Sequence, residues 1–100
     1  MKLIKMSNKQ EQVFHELSEQ TEVVLRKRLD PLAQISASPG PEGRVRVQVI
    51  SDRLNELTER KKQDFLWNIL NEELKEKSDW ISFIIGYGTD EEIYRPLEAK

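Results

Sequence analysis

No cysteine occurs in the 100 residues. Disulfides, thiolate metal sites and a cysteine nucleophile are therefore excluded, and the chain suits a reducing cytosol. A single histidine, His15, rules out catalysis or metal binding that needs two imidazoles from one chain. Apolar runs are short. The longest, Trp80 to Tyr87, already contains Ser82 and Gly86, and none approaches the ~20 residues of a membrane span. Met1 to Met6 has neither an apolar stretch of signal length nor a small-residue cleavage site, so no export signal is read and a cytoplasmic location is expected. The net charge of −2 gives no whole-chain field that recruits nucleic acid, so any basic surface must be local.

What is present is enough for one small domain, taken as 1–100. Hydrophobic residues make up 37%, sufficient for one modest core but not two. Ser7 or Asn8 can cap a helix, and Val13, Phe14, Leu17, Val24, Leu25 and Leu29 form one apolar stripe interrupted by Thr21. That spacing predicts a helix from about Lys9 to Leu29, with Glu11 near its start, Arg26, Lys27 and Arg28 in its last turn, and Pro31 as its stop. Ala33, Ile35 and Ala37 alternate with polar residues, Pro39-Gly40-Pro41-Glu42-Gly43 is a turn, and Arg44 to Val49 alternates strictly. These three stretches read as an antiparallel hairpin.

Thr58 is the expected cap of a second helix. Phe65, Leu66, Ile69, Leu70 and Leu74 form its stripe, which runs out near Lys77. Trp80 to Tyr87 reads as a strand with Ile81, Phe83 and Ile85 on one face and Trp80 and Ile84 on the other. Residues 1–8 and 93–100 are expected to be loose ends around a core at 9–92. The order is helix, strand, strand, helix, strand. A strand–helix–strand connection makes neighbouring strands parallel, so the prediction is a two-layer α+β domain. It has a three-stranded mixed sheet with both helices on one face, Val45, Val47 and Val49 inward, and Arg44, Arg46 and Gln48 outward.

This order resembles that of the BolA family, whose fold is like a type II KH domain. The similarity sits in Val47-Gln48-Val49-Ile50-Ser51-Asp52-Arg53-Leu54, which looks like the family's Val-x-Ser-Asp-x-Phe stretch. It continues in Ile84 to Glu92, similar to the last strand running into Thr-Pro-Glu-Glu. The resemblance covers about residues 9 to 92. Where the family carries Arg-His-Arg, this chain has Lys62-Gln63-Asp64. Where its second helix is preceded by Gly, this chain has Glu56, and where a second His opens the last strand, it has Ile81. In the family, histidine helps hold a [2Fe–2S] cluster shared with a monothiol glutaredoxin. Gln63 lacks the basic lone pair of imidazole and His15 is on the other helix, so that role does not carry over and no cofactor is expected. RNA-binding KH domains clamp the backbone with a Gly-x-x-Gly loop, and Asn55-Glu56-Leu57-Thr58 contains no glycine.

Among candidate sites, His15 could be a pH-sensitive contact or a metal ligand shared across a dimer, against the plain reading of a surface histidine. Asp52, Glu56, Glu59, Glu72, Glu73 and Glu76 supply many carboxylates, but a hydrolase would need two held together in an apolar cleft, and Glu72, Glu73 and Glu76 are explained by helix-end pairing such as Glu73 with Lys77. No serine or threonine has a histidine partner, so an enzyme is not expected. Arg44, Arg46, Lys61 and Lys62 form a candidate phosphate-binding patch, set against a solvated face with interleaved acids. Trp67 and Trp80 are the costly aromatics. An apolar last strand at a sheet edge invites pairing with another chain unless the C-terminal tail covers it. The expectation is a non-enzymatic protein-interaction or regulatory module acting on a protein partner or a second copy through Trp67, Trp80, Ile84 and Tyr87. The alternative is a nucleic-acid-binding module using the basic residues.

Overall fold

The computed structural model describes residues 8–91. Of the ends expected to be loose, 1–7 and 93–100 lie outside those residues, as does the question of whether the tail covers the last strand. Asn8 already opens the first helix. Helix α1 (Asn8–Arg28) buries Leu17, Thr21, Val24 and Leu25, with Leu29 just beyond its end. Its stripe and its cationic last turn are those read from the spacing. The Thr21 hydroxyl interrupts the stripe and has no hydrogen-bond partner. Asp30 turns the chain after α1, its carboxylate accepting from the Leu32 amide at 2.9 Å, an Asx turn placed just ahead of Pro31 in sequence.

Strands β1 (Gln34–Pro39) and β2 (Val45–Ile50) form the antiparallel hairpin, with Ala37 opposite Val47. The turn between them is tight because Glu42 and Gly43 both take left-handed backbone angles, at φ 59° and 75°. Helix α2 (Glu59–Leu74) returns the chain to strand β3 (Ile81–Tyr87), which pairs parallel to β2. The sheet order is β1-β2-β3. Val45, Val47 and Val49 of the central strand are fully buried, and they join Leu25, Leu54, Leu66, Ile69 and Leu70 in a single core under the two helices. The architecture is the predicted two-layer α+β domain with a three-stranded mixed sheet.

Three local expectations are corrected. The α2 stripe was expected to run to Lys77, but the helix ends at Leu74. There Lys75 takes φ 54°, and a 3-10 turn over Lys75–Trp80 follows. Lys77 therefore never comes one helical turn from Glu73. Instead, Glu73 accepts from Arg28 at 2.6 Å and Glu72 from the same guanidinium at 2.8 Å, clasping the ends of the two helices together. The strand also begins one residue later than expected, so Trp80 closes the turn. Finally, Ile81 and Ile84 are both buried while Phe83 is 41% exposed, which the expected alternation forbids. The reason is a break in register: Val45 faces Ile81 but Arg46 faces Phe83, leaving Ser82 as an extra residue that flips the parity of the strand.

The junction between β2 and α2 is pinned from three directions. Ser51 donates to Asp30 at 2.6 Å and accepts from the Arg53 amide at 3.0 Å, while its own amide bonds to the Tyr87 carbonyl at 3.0 Å. Thr58 caps α2 by accepting from the Lys61 amide at 3.2 Å. Between them Glu56 sits at φ 66°, a conformation that favours glycine over residues with a Cβ. Glu56→Gly is therefore expected to raise stability by about 0.5–1 kcal/mol, relief of the Cβ clash outweighing the added freedom of the unfolded chain. Urea denaturation checks this, and an unchanged or lowered midpoint contradicts it.

Candidate contact surface

Trp80 is 46% exposed and stands between the 3-10 turn and β3. It forms one end of a groove between α1 and the Lys75–Trp80 turn. One cavity of about 210 Å³ is lined by Val13, Glu16, Leu17, Gln20, Lys77 and Trp80. A second of about 440 Å³ shares Gln20 and Lys77 and continues past Val23, Val24 and Leu74. The floor is apolar, the α1 wall carries Glu16 and Glu19, and the turn wall carries Lys75 and Lys77. Val23 is 65% exposed there, an aliphatic side chain in water at a cost that its burial would recover. Phe83 lies on the face of the sheet away from the helices. The Arg46 guanidinium stands 5.8 Å from its ring centroid, within cation–π range.

The other expected protein-contact residues are buried or half-buried. Ile84 is buried in the core and Tyr87 is also buried, the former because the extra residue at Ser82 turns it inward. Trp67 is half-buried, and its indole N–H donates to Gln63 Oε1 at 3.2 Å. Gln63 in turn donates to the Ile84 carbonyl at 2.7 Å. That carbonyl belongs to β3, which has no second strand partner among the described residues. The position that the BolA resemblance matches to a cluster-binding histidine is thus an amide capping a strand edge, and this limits the addition of another strand there. Gln48, expected to face solvent, does stand on the outer face by register but is buried, with Oε1 unpartnered.

The four basic candidates are divided. Arg46 lies near the start of β2, opposite Phe83, and Arg44 directly precedes that strand. Lys61 and Lys62 lie on α2, beyond the far end of that strand and across the sheet. Lys61 is exposed, but Lys62 is 1% exposed. Its ammonium donates to Glu91 at 2.7 and 3.0 Å and to Glu59 at 3.1 Å. Burial pulls its pKa down and is the largest single influence, but the bonds to Glu91 and Glu59 outweigh it, so the group stands above its ordinary value. Lys62 is a structural cation rather than a member of a surface patch. The sequence signal for this was present: Lys62 precedes Leu66, Ile69 and Leu70 at four, seven and eight residues, the spacing of the buried stripe.

Three carboxyls are held below their ordinary range. Asp30 is lowered chiefly by the Ser51 hydroxyl, Glu73 by Arg28 and Glu91 by Lys62. A carboxyl lowered in the folded state contributes stability above its unfolded pKa and loses it as pH falls through the folded value. The domain should therefore lose stability progressively below about pH 4.5. Asp30→Asn combined with Glu91→Gln should flatten that decline in a urea-midpoint profile against pH. An undiminished slope in the double variant would show that these two groups do not drive it.

No cluster of three or more histidine, aspartate or glutamate side chains suited to a metal is found among the described residues, and none of their helices is long and apolar enough to cross a membrane. No protein-family model, curated protein or solved structure matches this chain.

Proposed function

We propose that the chain is a small non-enzymatic protein-interaction module of BolA-like order, cytoplasmic and without that family's cluster ligand, whose contact surface is centred on Trp80. The observation that carries this is the exposure of Trp80 at the end of an apolar groove flanked by charges of both signs. A half-exposed tryptophan beside an apolar groove is the kind of anchor that dominates protein interfaces. Because Gln63 occupies the outward carbonyl of Ile84, the contact is made by side chains rather than by adding a strand. The test is to capture binding proteins from native lysate, rebuild the complex from purified components and measure its affinity. Trp80→Asp should weaken it at least about tenfold, with the melting temperature of the variant close to that of the parent. A rebuilt complex indifferent to Trp80→Asp overturns the reading.

A second reading is favoured by the Arg46–Phe83 pair, since a guanidinium beside a half-exposed ring on a sheet face suits single-stranded nucleic acid. Fluorescence anisotropy with a labelled oligonucleotide decides it. Binding must fall steeply with salt and vanish in Arg44→Glu/Arg46→Glu. Weak, salt-indifferent binding removes this alternative.

A further inference from the structure

We propose that the sheet face opposite the helices is the docking site of this chain's own residues 92–100. By register, Gln48 and Tyr87 stand on that face, since their strand neighbours Val47, Val49 and Gly86 point towards the helices. The core and both helices lie on the inward side, and the outer face of a two-layer domain is wet unless something covers it. Yet Gln48 is only 4% and Tyr87 only 7% exposed. Gln48 is the stronger indication. Flanking strands shield the root of a side chain, whereas its tip stands highest above the sheet. Here the terminal Oε1 itself is closed off from solvent, and it has no hydrogen-bond partner. An apolar cover accounts for both observations.

Exposure along the face shows where the cover starts. On β3 the outward residues run from Tyr87, buried, through Ile85, half-buried, to Phe83, exposed. On β2, Gln48 is buried between the half-buried Ile50 and Arg46. The shielded track therefore begins at Tyr87, crosses to Gln48 and stops short of Phe83. Its beginning is where the described residues end. Glu91 is fixed there by the Lys62 ammonium at 2.7 Å and the Gly88 amide at 2.8 Å, so residues 92–100 follow from the covered end of the face. These nine residues can reach up to about 30 Å, against about 13 Å from Tyr87 to Phe83 along β3. They include Ile93, Tyr94, Pro96 and Leu97, apolar groups that suit Ile50 and Ile85. Pro96 has no N–H to give a strand ladder, and Gln63 already occupies a carbonyl on the free edge of β3. Docking is therefore across the face rather than beside it, and it leaves Phe83 clear.

A chain without cysteine takes a clean thiol reporter. In the full chain, the thiol of Gln48→Cys should react with a soluble aromatic disulfide at least about tenfold more slowly than that of Ser36→Cys, its exposed neighbour on β1. Adding Ile93→Asp/Leu97→Asp should remove most of that difference while a cooperative melting transition is kept. The protection should not change with protein concentration, because segment and face belong to one chain. In the unaltered chain, nuclear Overhauser contacts should join the Ile93 or Leu97 methyls to Ile85. A Gln48→Cys thiol as open as that of Ser36→Cys overturns the proposal. So does protection that survives Ile93→Asp/Leu97→Asp, or that grows with concentration as cover by a second copy would. Absence of the Overhauser contacts overturns it without any substitution having to fold. Trp80→Asp should leave the protection unchanged, so this proposal and the Trp80 reading fail separately.

Discussion

Lys62→Ala is expected to destabilise the domain by about 3 kcal/mol. Two losses combine. The four-carbon stem of a side chain that is 1% exposed leaves a void beside the Leu66 turn of α2. Glu91 and Glu59 also lose their cation. The penalty stays near the lower end of the range for broken buried pairs because Glu91 is 37% and Glu59 70% exposed, so both carboxylates can rehydrate. The chemistry and the shape of the site separate cleanly. Lys62→Met keeps the stem and should cost only about 1 kcal/mol, and Lys62→Met with Glu91→Gln, which leaves no uncompensated charge, should come close to wild type. Urea denaturation at neutral pH with an unchanged m-value measures all three. A Lys62→Ala cost below about 1 kcal/mol would mean that the ammonium is solvated and the pair unimportant. The wild-type pair should also persist into alkaline solution. The Lys62 pKa is raised in the folded state, so its contribution is complete below the unfolded value and fades only as pH climbs through the folded one.

Lys62 also marks the line between what the residues announce and what only the folded chain reveals. Helix α1, the hairpin and α2 are legible because their signals are local: Pro31 after a cationic turn, five turn-forming residues around Gly40, three valines two apart, a threonine ahead of an apolar stripe. The outward or inward sense of β3 is not legible. It depends on one extra residue at Ser82, and an insertion in a register is defined only against the partner strand, here Val45 and Arg46. The fates of Lys62 and Gln63 are set by Glu91 and by the Ile84 carbonyl, 29 and 21 positions away. Asp30 is fixed by Ser51 across 21 positions in the same manner. The candidate surface divides along the same line. Trp80 was singled out as a costly aromatic opening the last strand, and its exposure came only with the fold. The groove it closes was hidden, because it needs α1 and the turn after α2 to come together, and the helix ends three residues sooner than its stripe implies.

Replacing Gly86 tests the tightest part of that assembly. Gly86 lies on the inward side of β3, opposite Val49, and a Cβ placed there would approach Leu54 Cδ1 and Leu66 Cδ1 at 2.8 Å each. Both leucines are fully buried, so neither has open space to retreat into. One holds the junction after β2 and the other the middle of α2, so the glycine sets how closely the crossover packs on the sheet. Gly86→Ala should cost about 2 kcal/mol and Gly86→Val about 3 kcal/mol, through overpacking rather than through loss of backbone freedom. Leu66→Ala alone should cost a similar amount for the opposite reason, a cavity. The two faults are complementary in volume. Gly86→Ala with Leu66→Ala should therefore cost clearly less than the sum of the separate changes, with a coupling of about 1 kcal/mol in a double-mutant cycle. Strict additivity would mean that β3 shifts away from the helix as a unit, and that Gly86 does not govern the spacing of the two layers.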